Sequence, residues 1–151
     1  MKLTIVLDSG PLGLLMQRRG LPVADACRRW LANRMRAGTR FLVPEIADYE
    51  LRRELLRLGL TPALARLDAF NSALPDRYLQ LNTAAIRRAA ELWADVRRRG
   101  LPTADPKELD GDVIVAAQTM TSGFPLRDLA VATSNPIHLS RYLDADLWTN
   151  L

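Results

Sequence analysis

The apolar run Lys2-Leu-Thr-Ile-Val-Leu, rich in β-branched residues and cut off at Asp8, constrains the fold more than any other stretch of the chain. A run this short and this uniformly apolar reads as a strand buried on both faces. Phe41-Leu42-Val43, Tyr78-Leu79-Gln80-Leu81 and Leu129-Ala130-Val131-Ala132 read the same way, and Leu147-Trp148 reads as a small fifth strand at an edge. Helical periodicity fills the gaps. Residues 11–18 make a short helix begun by Pro11, and residues 23–37 set Val23, Cys27, Trp30, Leu31 and Met35 on one side before Gly38. A helix with Pro44 at its first position runs to about Leu58, and another follows Thr61-Pro62 to about Leu74. Over 83–99, Ile86, Ala89, Ala90, Trp93 and Val96 share the inward face, with Arg87, Arg88, Glu91 and Asp95 pointing away. Residues 100–110, with Pro102 and Pro106, read as a polar loop, and 111–121 as a helix with Val113, Ala116, Ala117 and Met120 inward. Buried strands alternating with long helices require crossover connections. The expected fold class is therefore α/β, with a mainly parallel sheet of four to five strands between two helical layers. No repeat or linker divides it, so one domain spans residues 3–148.

A chain of 151 residues buries enough surface to fold without a disulfide or a structural metal. It holds one cysteine, Cys27, and one histidine, His138. That excludes an internal disulfide and a Cys-rich zinc site, and leaves a His-based metal cluster or a Ser-His-Asp triad almost nothing to work with. Any chemistry falls to carboxylates. No apolar stretch approaches the ~18 residues of a membrane span, and Asp8 interrupts the N-terminal run too early for a secretory signal. A cytoplasmic protein with no membrane partner is expected. Residues 1–100 carry 18 Lys and Arg against 10 Asp and Glu, a net +8, whereas residues 101–151 carry 3 against 7, a net −4. Of the 21 cations 19 are arginine, whose fork matches phosphate geometry and suits a nucleic-acid partner.

Ligands of an open α/β sheet bind outside the carboxyl ends of its strands. Asp8 and Ser9 follow the first strand there, and Thr133, Ser134 and Asn135 follow the fourth. Glu45, Glu50 and Glu54 come from the helix after Pro44, and Asp110 and Asp112 open the helix over 111–121. Each has an ordinary alternative: an Asx-turn for Asp8, ion pairs with Arg53 and Arg57 for Glu50 and Glu54, a helix cap for Asp110 and a favourable helix dipole for Asp112. The run Leu109-Asp-Gly-Asp-Val-Ile-Val-Ala-Ala-Gln is harder to explain that way. A small-residue apolar helix packs closely on a sheet, which brings Asp112 to the sheet's end.

These segments, in this order, resemble the PIN domain, the metal-dependent nuclease fold of the toxin in VapBC-type toxin–antitoxin pairs. The resemblance rests on Ile5-Val-Leu-Asp8-Ser9, Val43-Pro-Glu-Ile-Ala-Asp-Tyr-Glu50-Leu-Arg-Arg-Glu54, Asp112-Val-Ile-Val-Ala-Ala117 and Ala130-Val-Ala-Thr133-Ser-Asn135. It implies a PIN-like three-layer α/β/α fold with Asp8, Glu50 and Asp112 as catalytic, metal-ligating acids. Ser9, Thr133 and Asn135 would be polar orienters. The family's fourth position is often acidic, and here it is the neutral Asn135; Asp110 adds an acid two residues before Asp112 and joins the expected metal ligands. Three carboxylates at ~4 Å repel by about 4 kcal/mol per pair at an effective dielectric of 20. Such a cluster asks for a cation, and oxygen-only ligands select Mg²⁺ or Mn²⁺. The resemblance further implies RNA as substrate, cleaved by metal-activated water, and brings in a cognate antitoxin and a homodimer as partners to test. Arg52, Arg53 and Arg57, beside Glu50, and the Arg97-Arg98-Arg99 run are candidates for phosphate contact.

Two other readings compete. A catalytically weak PIN-like domain would bind RNA or a protein without cutting, with Asn135 as the mark of lost activity. A phosphoryl-accepting α/β domain fits poorly. There is no paired acid cluster with a late lysine, and Ser9-Gly10-Pro11 follows Asp8 with no second Asp two residues on. No Gly-rich dinucleotide or P-loop signature is present.

Overall fold

The computed structural model describes residues 2–100 and 110–151. Five strands form one sheet: β1 (Thr4–Leu7), β2 (Arg40–Pro44), β3 (Tyr78–Leu79), β4 (Leu129–Thr133) and β5 (Ala145–Leu147). Their order is β3-β2-β1-β4-β5, and every neighbouring pair is parallel. Seven helices are described: α1 (Ser9–Met16), α2 (Pro22–Arg36), α3 (Glu45–Arg57), α4 (Thr61–Ser72), α5 (Thr83–Arg98), α6 (Gly111–Met120) and α7 (Pro136–Leu139). None is long and apolar enough to cross a membrane among the described residues.

The pleat sorts the central strands into two cores. Ile5, Leu7, Phe41 and Val43 point to one face, where Leu12 and Leu15 of α1, Cys27 of α2, Leu55 of α3 and Leu67 of α4 cover them. Val6, Leu42 and Val131 point to the other, under Leu92 of α5, Val113 to Ala117 of α6 and Leu139 of α7. The fold is thus three-layered, as the alternation of strands and helices predicts. Trp30 meets Phe41 edge-on at 5.3 Å between ring centroids, which anchors α2.

Several boundaries and faces differ from the sequence reading. The first helix starts at Ser9, because Asp8 caps it and Pro11 sits within the first turn, where no backbone donor is needed. Pro44 ends β2 and precedes α3 instead of opening it. β3 stops at Leu79, and Thr133 closes β4. On α2, Val23 is 60% exposed and Ala24 is buried in its place. The largest correction is on α5. Its buried residues are Ala85, Ala89, Leu92 and Val96, so Ile86, Ala90 and Trp93 turn outward. The apolar stripe is wider than the packed stripe, and α6 takes the side that carries Leu92. The expected polar loop, with Pro102 and Pro106, lies outside the described residues apart from its two ends.

Candidate functional site

The β1–β4 ladder continues past the strand end: the Asp8 amide donates to the Ala132 carbonyl at 2.9 Å. This places Asp8 level with Thr133 at the carboxyl edge of the sheet. Both oxygens of Asp8 are held. Oδ1 accepts the Ser9 amide at 2.8 Å and Oδ2 accepts the Thr133 hydroxyl at 2.8 Å. The Asn135 amide in turn donates to Thr133 Oγ1 at 3.2 Å, while the Asn135 side chain faces outward. Ser9 ties the second acid in, since its hydroxyl donates to Glu50 Oε2 at 3.2 Å. Ser9 and Thr133 therefore orient carboxylates.

Two glycines allow the elements to come this close. A Cβ on Gly10 would lie 2.0 Å from Ser134 Oγ, so only glycine lets the start of α1 meet the turn after β4. A Cβ on Gly111 would lie 2.2 Å from Glu50 Oε1, which shows the Glu50 carboxylate resting on the bare backbone that starts α6. Gln118 fixes the same two helices further along. It donates to the Leu79 carbonyl at 2.8 Å and accepts the Ile46 amide at 3.2 Å, satisfying one of the orphan donors of α3. Asp112, in the first turn of α6, faces the same end of the sheet, and Asp110 caps that helix by accepting the Val113 amide at 3.3 Å.

The acids act on one another electrostatically. Burial pushes the Asp112 carboxyl up to about 6, and the charges of Asp8 and then Asp110 add to the rise. Burial also raises Glu50, followed by the Asp8 charge and, more weakly, by Asp112; the Ser9 hydrogen bond and Arg53 oppose it. None of Asp8, Glu50 and Asp112 forms an ion pair among the described residues. Partly buried, mutually repelling oxygens without a paired cation are the donor set a hard divalent ion satisfies. The acids have not closed on one point: among the described residues, no three His, Cys, Asp or Glu side chains stand together as a finished metal-binding group.

The three candidate arginines of α3 have different settings. Arg52 donates Nε and Nη2 to both oxygens of the buried Asp48, each at 2.9 Å, and Nη2 to Asp68 at 2.6 Å, bracing α3 on α4. Asn71 adds a donor to Asp48 at 2.8 Å. Arg57 pairs with Glu54, as helical spacing suggests. Arg53 lies 5.3 Å over the Tyr49 ring, and its charge reaches Glu50. The sequence reading missed two features here. Asp48 is not singled out by the sequence, yet it is buried under Arg52 and Asn71. His138 sits one helical turn after Asn135, where its charge acts on Asp112 while its Nδ1 is buried without a partner among the described residues.

Three solved structures share this architecture. VapBC from Salmonella typhimurium, solved bound to DNA, aligns with TM-score 0.68 and 21% identity over 97% of this chain and 98% of the other. VapBC2 from Rickettsia felis, solved with a DNA fragment from its promoter, aligns with TM-score 0.67 and 15% identity over 96% and 98%. The fold is PIN-like. FitAcB from Neisseria gonorrhoeae gives TM-score 0.65 and 18% identity over 97% and 99%. No protein-family model and no curated protein matches the sequence. The PIN-like fold accounts for the convergence of β1, α3, α6 and β4 on one edge, and its chemistry rests on the residues found there.

Proposed function

We propose that this PIN-like domain is a metal-dependent endoribonuclease of the VapC kind, with Asp8, Glu50 and Asp112 as its acidic centre and Asp110 beside them. The observation that carries the reading is the convergence of acids from three separate elements, with none of Asp8, Glu50 and Asp112 ion-paired among the described residues and with Asp112 raised to about 6 by burial and by its neighbours. A structural role for such a set is costly, since like charges in a partly dry site destabilise the fold. Mg²⁺ or Mn²⁺ held by these oxygens would lower the pKa of a water and neutralise charge developing on a phosphodiester. Within that scheme Ser9 and Thr133 hold Glu50 and Asp8 in fixed orientation. Gly111 keeps the Glu50 carboxylate against α6, and Arg53 supplies a positive charge on the Glu50 side where a phosphate would lie. RNA as substrate follows the PIN resemblance and the +8 charge of residues 1–100. The matched proteins were solved as VapBC or FitAcB assemblies, and we extend that pairing to this chain as a cognate antitoxin partner.

Cleavage of a labelled single-stranded RNA by purified protein, with chelator and then with Mg²⁺ or Mn²⁺, tests the reading. Turnover that appears only with metal supports it. RNA binding with no cleavage under either ion would replace it with the binding-module alternative that Asn135 suggests.

A further inference from the structure

The helices that carry Glu50 and Asp112 are joined twice, and the second joint is a buried amide. α3 follows Pro44, and no side chain at that cap position accepts from its first turn. Ile46, in that turn, is 3% exposed, and its N–H donates to Gln118 Oε1 at 3.2 Å. The side chain that caps α3 thus comes from α6. Gln118 is itself 2% exposed, next to the buried run Val113 to Ala117. An amide there is costly unless both its ends are bonded, and its other end donates to the Leu79 carbonyl of β3 at 2.8 Å. The two joints lie on facing stripes. Gly111 and Gln118 are seven residues apart, about two turns along one side of α6. Ile46 and Glu50 are four apart, about one turn along one side of α3. Glu50 rests on Gly111 at one end of this clamp, and Ile46 bonds Gln118 at the other.

We propose that Gln118 is a positioning residue of the acidic centre: by capping α3 from α6 it fixes the register of Glu50 against Asp112, and so sets the affinity for a divalent cation. The proposal rests on the metal-dependent reading and adds to it the residue that keeps two of the acid-bearing helices in step. Among the described residues the acids have not closed into a finished metal-binding group, so a cation has to draw them together. Slack between α3 and α6 has to be removed at that moment, and ligands held in place beforehand bind more tightly than loose ones. A hydrogen-bonded joint two turns from Gly111 limits the slack. An apolar residue of equal size would fill the volume of Gln118. It would leave the Ile46 N–H and the Leu79 carbonyl without these bonds, and the helices free to slide.

The test is titration of the full chain with Mn²⁺ in the absence of RNA, read from the electron paramagnetic resonance signal of free Mn²⁺. Gln118→Met keeps the length of the side chain and loses both hydrogen bonds. Gln118→Asn keeps the amide but is too short to reach both partners. Each is expected to weaken Mn²⁺ binding about 10-fold or more. Two comparisons separate positioning from stability. Cys27→Ala opens a cavity in the opposite core and lowers Tm, and it should leave Mn²⁺ affinity within about threefold of wild type. Pro44→Ser gives α3 a cap of its own, and added to Gln118→Met it should recover Tm without recovering Mn²⁺ affinity. Circular dichroism melts show which variants are folded, and Gln118→Asn and the double variant carry the test if Gln118→Met is not. Wild-type Mn²⁺ affinity in the folded Gln118 variants overturns the proposal. So does an equal loss in Cys27→Ala, or recovery of affinity together with Tm in the double variant. A wild type that takes up no Mn²⁺ overturns it together with the metal reading, whereas Gln118-dependent uptake without RNA cleavage defeats the nuclease reading alone.

Discussion

Replacing Asp112 with asparagine should stabilise the metal-free protein, and the amount can be worked from the site. Burial, then Asp8, then Asp110 lift this carboxyl from 3.8 to about 6. A rise of about two units corresponds to ~3 kcal/mol, and solvent screening of a partly exposed group reduces it to ~1–2 kcal/mol. Asp112 also sits in the first turn of α6, where the dipole favours a carboxylate by roughly 0.3–1 kcal/mol. The net gain for Asp112→Asn at neutral pH is therefore about 1 kcal/mol, or ~2–4 °C in Tm for a chain of this size. The sign follows from proton binding. The folded state holds the proton more tightly than the unfolded chain, so the Asp112 contribution to wild-type stability falls as pH rises from about 4 to about 6 and then levels off. The asparagine variant lacks that fall. Urea unfolding of both proteins in chelator, from pH 4 to pH 8, should show curves that meet at the acid end and separate above pH 6. Parallel curves across the range would refute the claim that Asp112 is buried among like charges.

Other outcomes follow from the same geometry. Millimolar Mg²⁺ or Mn²⁺ should raise Tm relative to chelator, by about 2.7 kcal/mol of stability at 100 times Kd; an unchanged melt would count against a metal site. Arg52→Ala should cost on the order of 3 kcal/mol in denaturant unfolding, because Asp48 stays buried without its bidentate partner. Arg53→Ala should leave stability within about 0.5 kcal/mol yet lower RNA affinity and flatten its salt dependence, as loss of a phosphate contact does. Gly111→Ala should leave the melt unchanged or slightly higher, since alanine favours helix, while displacing Glu50 and lowering cleavage; full activity would remove Gly111 as the seat of that carboxylate.

The central frame was legible because it depends on local pattern. Buried strands write themselves as apolar runs, and the residues just after β1 and β4 fall at the ligand-binding edge whatever the helices do. The sequence accordingly places Asp8, Ser9 and Thr133 at that edge, and the structure joins them by hydrogen bonds. What escaped depends on contacts between distant segments. The α5 periodicity admits two faces, and only the position of α6 decides that Leu92 goes inward and Trp93 outward. Arg52 reads as a candidate phosphate contact beside Glu50, whereas Asp48 one turn earlier and Asp68 of α4 together take it up as a brace. Gly111 looks like a plain break between two acids until the Glu50 carboxylate is seen against it. His138 carried no signal beyond its spacing from Asn135, which meant nothing without α7 folded back toward Asp112.

The account stands most directly on Asp8, whose two oxygens are pinned by Ser9 and Thr133 at the head of the sheet. Asp8→Asn preserves shape and the Asx-turn but removes the charge. Wild type and variant should be compared as initial rates of single-stranded RNA cleavage in Mn²⁺, with circular dichroism showing both folded. The account predicts that the folded variant loses cleavage while keeping metal-free RNA binding. A folded Asp8→Asn protein that cuts as fast as wild type would contradict it.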